Sequence, residues 1–260
     1  MYESQNNENN IYNNNNNYNN NYNEYYDNKD FNELSNEKIK DISLQIRLGF
    51  IRKVYGILSV QLLITTLLSF IAMISKSFQN FLLNHISLIY LSCFLILIIS
   101  FIIQCFPYFT QNYPQNYIIL FLFTLAESYL ISFICAFSNH KIVFMAAFMT
   151  LIMCLSLTIY AINTKSDFTT KGGILFILSA GLFLFTFFGL FTDNKFFHIL
   201  ISTFGVILFG FYLIYDTQLI IGNKSELLET DDYILGAFLL YLDIINIFLY
   251  LLKLMSSSGD

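Results

Sequence analysis

The sequence predicts an all-α integral membrane protein, a bundle of seven transmembrane helices. Two observations carry this prediction. The 260 residues are 56% hydrophobic and only 12% charged, with a mean hydropathy of +0.58, and the charges crowd into the first 53 positions and a few short gaps. From Val54 onward, seven apolar stretches at about 54–76, 82–106, 116–137, 141–163, 172–192, 196–221 and 232–254 each approach the ~20 residues that a helix needs to cross a bilayer. A membrane β-barrel shows short segments of alternating polarity instead.

The stretch 1–32 is rich in Asn and Tyr, with 14 Asn in the first 30 positions. It holds too little apolar surface to offset the entropy of ordering it, and is expected to be disordered. Residues 33–53 mix charges with Ile39, Ile42, Ile46 and Phe50 at helical spacing, the pattern of an amphipathic cytosolic segment leading into the first span. The membrane domain then covers 54–256. No short apolar core lies near Met1, so no cleavable signal is expected and the first helix itself drives insertion. The two prolines, Pro107 and Pro114, both fall between the second and third spans, which disfavours transporter folds built on interrupted helices.

Cys93, Cys105, Cys135 and Cys154 lack the spacing of a metal or redox motif and read as small packing residues. Gly172, Gly173, Gly181 and Gly189 in the fifth span, and Gly205 and Gly210 in the sixth, permit close helix approach. Basic residues set the orientation. Lys38, Lys40, Arg47, Arg52, Lys53, Lys165, Lys171 and Lys224 share one side, eight in all, against four (Lys76, Lys141, Lys195 and Lys253) on the other. The N-terminus is therefore expected in the cytosol, and seven spans place the C-terminus in the lumen. A six-span chain with a re-entrant last segment would return it to the cytosol. The net charge of −5 and the scarcity of basic residues beyond the N-terminal region argue against nucleic-acid binding.

Chemistry is expected at the carboxylates inside the spans. Asp216 and Asp243 lie within long apolar runs, where a charged side chain costs roughly 2.5–3.5 kcal/mol on insertion scales and normally serves protons or cations; for Asp216, less than two turns before the polar Gly222-Asn223-Lys224, the alternative is a carboxylate near a helix end that reaches the headgroup layer. Asp216 stands about 7 residues before the loop joining the last two spans and Asp243 about 11 after it, or ~10 and ~16 Å along the helices. Antiparallel neighbours joined by a short loop can bring the two together, to share a proton or hold a cation. Oxygen ligands suit Ca²⁺, with waters completing its shell. Tyr212, one turn before Asp216, and Asn246 and Tyr250, on the face of Asp243, are candidate supporting groups or polar packing. Glu127, flanked by Thr124 and Ser128, is a third intramembrane carboxylate, either a structural hydrogen-bonding group or a step on a proton or ion route.

Several segments together resemble the transmembrane Bax-inhibitor-motif, or lifeguard, family. They are Phe50-Ile-Arg-Lys-Val-Tyr-Gly-Ile-Leu-Ser-Val-Gln-Leu-Leu63, Phe123-Thr-Leu-Ala-Glu127, Lys165-Ser-Asp-Phe-Thr169, Tyr215-Asp-Thr-Gln218, Asp232-Tyr233 and Leu240-Tyr-Leu-Asp-Ile-Ile-Asn-Ile-Phe-Leu-Tyr250. The likeness runs in order over about 45–256 and is strongest to the Golgi anti-apoptotic branch. It implies a seven-helix bundle with the last helix central and a pH-sensitive Ca²⁺ leak governed by an aspartate pair matching Asp216 and Asp243. It also implies modulation of cell death in a Golgi or endoplasmic-reticulum membrane, with membrane or death-regulating proteins as partners. Family members commonly carry basic residues where the second helix ends, thought to latch the aspartates. Here Ile103 to Pro114 reads IQCFPYFTQNYP, with none.

No enzyme activity and no cofactor are expected, Ca²⁺ being the transported ion. An intramembrane aspartyl protease is the strongest enzymatic alternative, because it too pairs two aspartates on adjacent helices. Its second aspartate stands in a Gly-x-Gly-Asp turn, whereas this chain has Tyr241-Leu-Asp243. His85, His140 and His198 form no spaced zinc-ligand set, and a retinal protein wants a mid-span lysine, whereas Lys253 ends its span. A membrane protein that suppresses death by binding partners alone remains the third reading.

Overall fold

The computed structural model describes the backbone of residues 2–222 and 228–258 and the side chains of 38–222 and 228–257. Among the described residues the regular structure is helical throughout, in the order α1 (Tyr2–Ile74), α2 (Lys76–Asn84), α3 (Ile86–Cys105), α4 (Pro107–Gln111), α5 (Gln115–Phe137), α6 (His140–Asn163), a 3₁₀ turn (Thr169–Lys171), α7 (Gly172–Gly189), α8 (Lys195–Ile221) and α9 (Tyr233–Ser258). Seven of these are long and apolar enough to cross a membrane: α1 from Lys38, α3, α5, α6, α7 with its 3₁₀ turn, α8 and α9. Each matches one apolar stretch of the sequence.

Local chemistry sets the ends. Ser75, Asn139 and Asn194 cap α2, α6 and α8 with side-chain oxygens that accept first-turn N–H groups. At the end of α8, Gly222 adopts φ 72° and donates its N–H to the Gln218 carbonyl, a left-handed cap that favours glycine. Pro107 opens the short α4 at a position where its missing N–H costs nothing. The side chains of 1–37 lie outside the described residues; the backbone of residues 2–32, for which the sequence predicts disorder, is helical and continuous with the rest of α1. In the segment that follows, Ile39, Ile42 and Ile46 are exposed.

From Gly49 onward the chain is one compact unit built around its last helix. Of the seven spans α9 is the most buried, 61% of its apolar window. It packs most extensively on α8, then on α6 and α5. Phe238 and Tyr241 meet Phe123 of α5 at ring-centroid distances of 4.9 and 6.0 Å, in the edge-to-face geometry aromatic pairs prefer. Gly236 lets α9 close on Val54 of α1 and Ile220 of α8, 3.2 and 3.4 Å from where its Cβ would stand.

The outer helices present apolar residues to the surroundings: Phe94, Leu97 and Phe101 on α3, and Phe176, Ile177 and Phe183 on α7. Hydrocarbon is the solvent such faces need. Two sequence expectations require correction. Cys93 and Cys105 are exposed on α3, so only Cys135 is a fully buried packing cysteine. Gly173 and Gly181 have nothing within 4 Å of a Cβ position, because that face of α7 has no helix against it; the close approaches are at Gly172, Gly189, Gly205 and Gly210.

Candidate functional site

Asp216 and Asp243 come together. α8 and α9 are antiparallel neighbours, as the paired contacts Ile220 with Gly236, Asp216 with Asp243 and Gly205 with Tyr250 require. Glycine makes this possible, since a Cβ at Gly205 would lie 2.6 Å from the Tyr250 ring. Both aspartates are 4% exposed, and their side chains are within hydrogen-bonding reach of one another. Two ionised carboxylates only accept, so such a contact needs a proton on one of them. Oδ2 of Asp243 is buried and receives no hydrogen bond from a donor group.

Three further groups frame the pair. Tyr212 of α8 interacts electrostatically with both aspartates and Tyr215 with Asp216. On α6, Cys154 interacts with Asp243; α6 reaches this depth because Gly210 of α8 leaves room for Met153 and Leu157, 2.9 and 3.2 Å from its Cβ position. Cys154 has no motif around it, and only the packing of α6 on α9 identifies it as a neighbour. Asn246 is half-buried and donates to the Leu242 carbonyl of its own helix at 2.8 Å. Tyr250 stacks on Phe209 at 5.8 Å, farther along the α8–α9 seam. Glu127 does not join the aspartates. It is buried on α5 beside Tyr241, in a separate polar cluster.

Just beyond the pair, Gln218 ties α8 to the connection between α6 and α7. Its Oε1 accepts the Phe168 N–H at 2.8 Å, and its Nε2 donates to the carbonyls of Ser166 and Ala161 at 3.0 and 3.3 Å. The sequence marked Gln218 only as part of a motif; a polar side chain one turn inside a helix end is the signal that it serves the adjoining loop.

Among the described residues no lysine or arginine acts electrostatically on either aspartate, and no group of three or more His, Cys, Asp or Glu side chains is placed to hold a metal. The stretch without basic residues after α3 instead forms α4, and Gln111 donates from its end to Asp232 at 3.0 Å. Asp232 in turn accepts the Glu229 N–H and opens α9. This stretch is therefore fastened to the start of the helix that carries Asp243 and not to the carboxyl pair.

Residues 47–260 match the family described as inhibitor of apoptosis-promoting Bax1. The chain belongs to this family. It is 34% identical to human protein lifeguard 3 over 218 residues, 81% of this chain and 69% of the relative. It is 34% identical to the Golgi anti-apoptotic protein of vaccinia virus over 230 residues, 88% and 93% of the two chains. Bax inhibitor 1 of Schizosaccharomyces pombe is 31% identical over 218 residues, covering 84% and 79%. These names are those of apoptosis regulators, which fits the expectation that the chain is no enzyme. They also agree with the family read from the sequence, and Golgi or related membranes fit the viral relative.

Proposed function

We propose that this Bax-inhibitor-family protein is a pH-sensitive Ca²⁺ leak of a Golgi or endoplasmic-reticulum membrane, with a cytosolic N-terminus, and that by limiting stored Ca²⁺ it restrains cell death. The observation that carries the reading is the carboxyl–carboxyl contact of Asp216 and Asp243 inside membrane-spanning helices. Burial at this depth is costly for charge, so the pair rests closed around a proton. Loss of protons places like charges side by side, which pushes α8 and α9 apart and gives a cation two oxygen ligands. Full protonation removes the attraction for Ca²⁺. The transition belongs to the pair jointly. Tyr212 and Cys154 line the same spot and set what else fits there.

The test is the purified chain in liposomes containing a Ca²⁺ dye, assayed alongside a membrane-embedded peptide. Flux that falls on acidification supports the leak. No flux with cleavage of the peptide would move the dyad to the protease reading, and neither activity would leave the partner-binding reading. Tags at both ends in sealed microsomes check the topology, and digestion of an N-terminal tag together with protection of a C-terminal one is expected.

A further inference from the structure

Helices α1 and α5 meet through small polar side chains. Gln61 Nε2 donates to Thr124 Oγ1 at 3.0 Å, and Thr65 Oγ1 meets Ser128 Oγ at 2.8 Å, both contacts joining residues 63 apart in the chain. This constant offset means that the two helices run parallel, and it sets Ser69 opposite Ser132 one turn farther along. Both serines are buried, at 8% and 0% exposure. Thr65 also meets the Tyr241 phenol at 2.7 Å, so the seam lies against the central helix α9.

The third rung of this ladder differs from the first two. On α1 and α5 a hydroxyl commonly turns back onto the carbonyl four residues earlier: Thr65 onto Gln61 and Thr124 onto Leu120 within the seam, and Ser59, Thr66 and Ser138 outside it. Such a local bond gives the hydroxyl proton an acceptor without leaving the helix. Ser69 Oγ and Ser132 Oγ make no bond of this kind. They do not bond each other either, and neither has a hydrogen-bond partner among the described residues. The polar group beside Ser69 is the Cys135 thiol, a weak donor and acceptor. At the other end of the seam Gln61, 3% exposed, keeps Oε1 buried and unpartnered while its Nε2 is engaged by Thr124.

Apolar side chains close the seam at both ends. Beyond the serines, Leu82 of α2 has no exposed surface and packs with Ala72 and Ala136. Gln79 holds α2 there by donating to the Ala72 and Met73 carbonyls at 2.9 and 3.1 Å. On the other side of Gln61 and Thr124 stand the buried Leu58, Leu120 and Phe123.

A buried hydroxyl left unpaired loses its hydration and gains nothing in return. Polar groups that face each other across two helices without bonding directly are the setting in which a bridging water is stable, because it finds several polar partners at one place. We propose that the α1–α5 seam is a binding site for internal water, with one molecule bridging Ser69 Oγ and Ser132 Oγ and a second donating to Gln61 Oε1. The two lone pairs of the bridging molecule accept both serine protons, replacing the carbonyl bonds that Thr65 and Thr124 make. Between the two waters lie the hydroxyls of Thr65, Ser128 and Tyr241. The result is a polar file from beneath α2 to Gln61, separate from the aspartate pair. The inference does not depend on Ca²⁺ transport, and a chain that conducts no Ca²⁺ would still hold the water.

The test has two arms, both on the full chain in lipid nanodiscs. A structure of the unmodified chain at a resolution that shows ordered solvent is expected to place a water within hydrogen-bonding distance of both Ser69 Oγ and Ser132 Oγ. Serines bonded directly to each other, or turned onto their own helix carbonyls with no density between them, would overturn the site. The second arm is thermal unfolding of Ser69→Ala, Ser132→Ala and the double variant. Each single change removes a holder of the shared water, so each is expected to lower the unfolding midpoint, and the double variant to lower it little further than either. A dry seam predicts the opposite sign, since alanine then relieves an unpaired polar group. Hydroxyls satisfied separately predict additive losses. A raised or unchanged midpoint, or strict additivity, therefore overturns the bridging water. Helical circular dichroism of each variant confirms that it is folded.

Discussion

The Tyr250 ring of α9 lies against the backbone of α8 at Gly205, so close that a Cβ there would stand 2.6, 2.6 and 2.7 Å from three of its ring carbons. The ring also stacks on Phe209 at 5.8 Å, which restricts where it can move. Gly205→Ala is therefore expected to force α8 and α9 apart, at a cost of about 1–3 kcal/mol, the usual range for overpacking. Thermal unfolding in detergent measures it. Gly205→Ala combined with Tyr250→Leu should recover part of the loss, which a double-mutant cycle reads directly. Gly181→Ala, with nothing within 4 Å of its Cβ position, is the control and should be neutral or mildly stabilising. Equal losses for both alanines would contradict the packing account.

Gln218 makes three hydrogen bonds to the backbone of residues 161–168 from a buried position on α8. Gln218→Ala leaves buried partners to find water, and each unsatisfied group costs ~1–3 kcal/mol. We expect the connection between α6 and α7 to become a site of fast hydrogen exchange and early protease cleavage, with the remaining spans protected. Unchanged exchange over 164–168 would contradict this role.

The fold was legible because hydrocarbon is an unforgiving solvent. A run such as Ile86–Cys105 has no alternative to a membrane helix, so length and hydropathy alone place it. The aspartate pair was legible for the same reason: Asp216 and Asp243 stand out against apolar neighbours, and a short loop limits where α9 can go. What stayed hidden depends on packing between helices distant in sequence. Cys154 comes within electrostatic range of Asp243 only because Gly210 admits α6, and Thr65 meets Tyr241 only because α1 and α5 flank the same side of α9. Glu127 was visible as a buried carboxyl, but its separation from the aspartates follows from α9 presenting Tyr241 on one side and Asp243 on the other.

Removal of residues 1–32 is expected to leave membrane insertion, thermal stability and any ion flux unchanged, because an Asn/Tyr-rich stretch has no apolar pattern with which to pack. The truncated chain compared with the full one in the same liposomes tests this. Failure to insert, or a lowered unfolding temperature, would show that the tail has a structural role.

The aspartate gate makes the sharpest prediction. Asp243→Asn preserves shape and hydrogen-bonding capacity but deletes one titrating group, so the shared proton and the coupled transition disappear together. The remaining Asp216 then titrates alone beside an amide. Ca²⁺ flux in liposomes should fall on acidification in the wild type, since protonation of both carboxyls abolishes the attraction for a cation. Asp216→Asn and Asp243→Asn should each flatten or displace that profile while leaving helical content intact. Because the contact joins the two carboxyl groups and no lysine or arginine among the described residues acts on either, both single variants should act in the same direction, and the double variant should add little to either. Raised salt should leave the position of the transition nearly unchanged, since a buried pair is screened much less than surface charges. Identical pH profiles for wild type and both single variants would eliminate the aspartate pair as the gate.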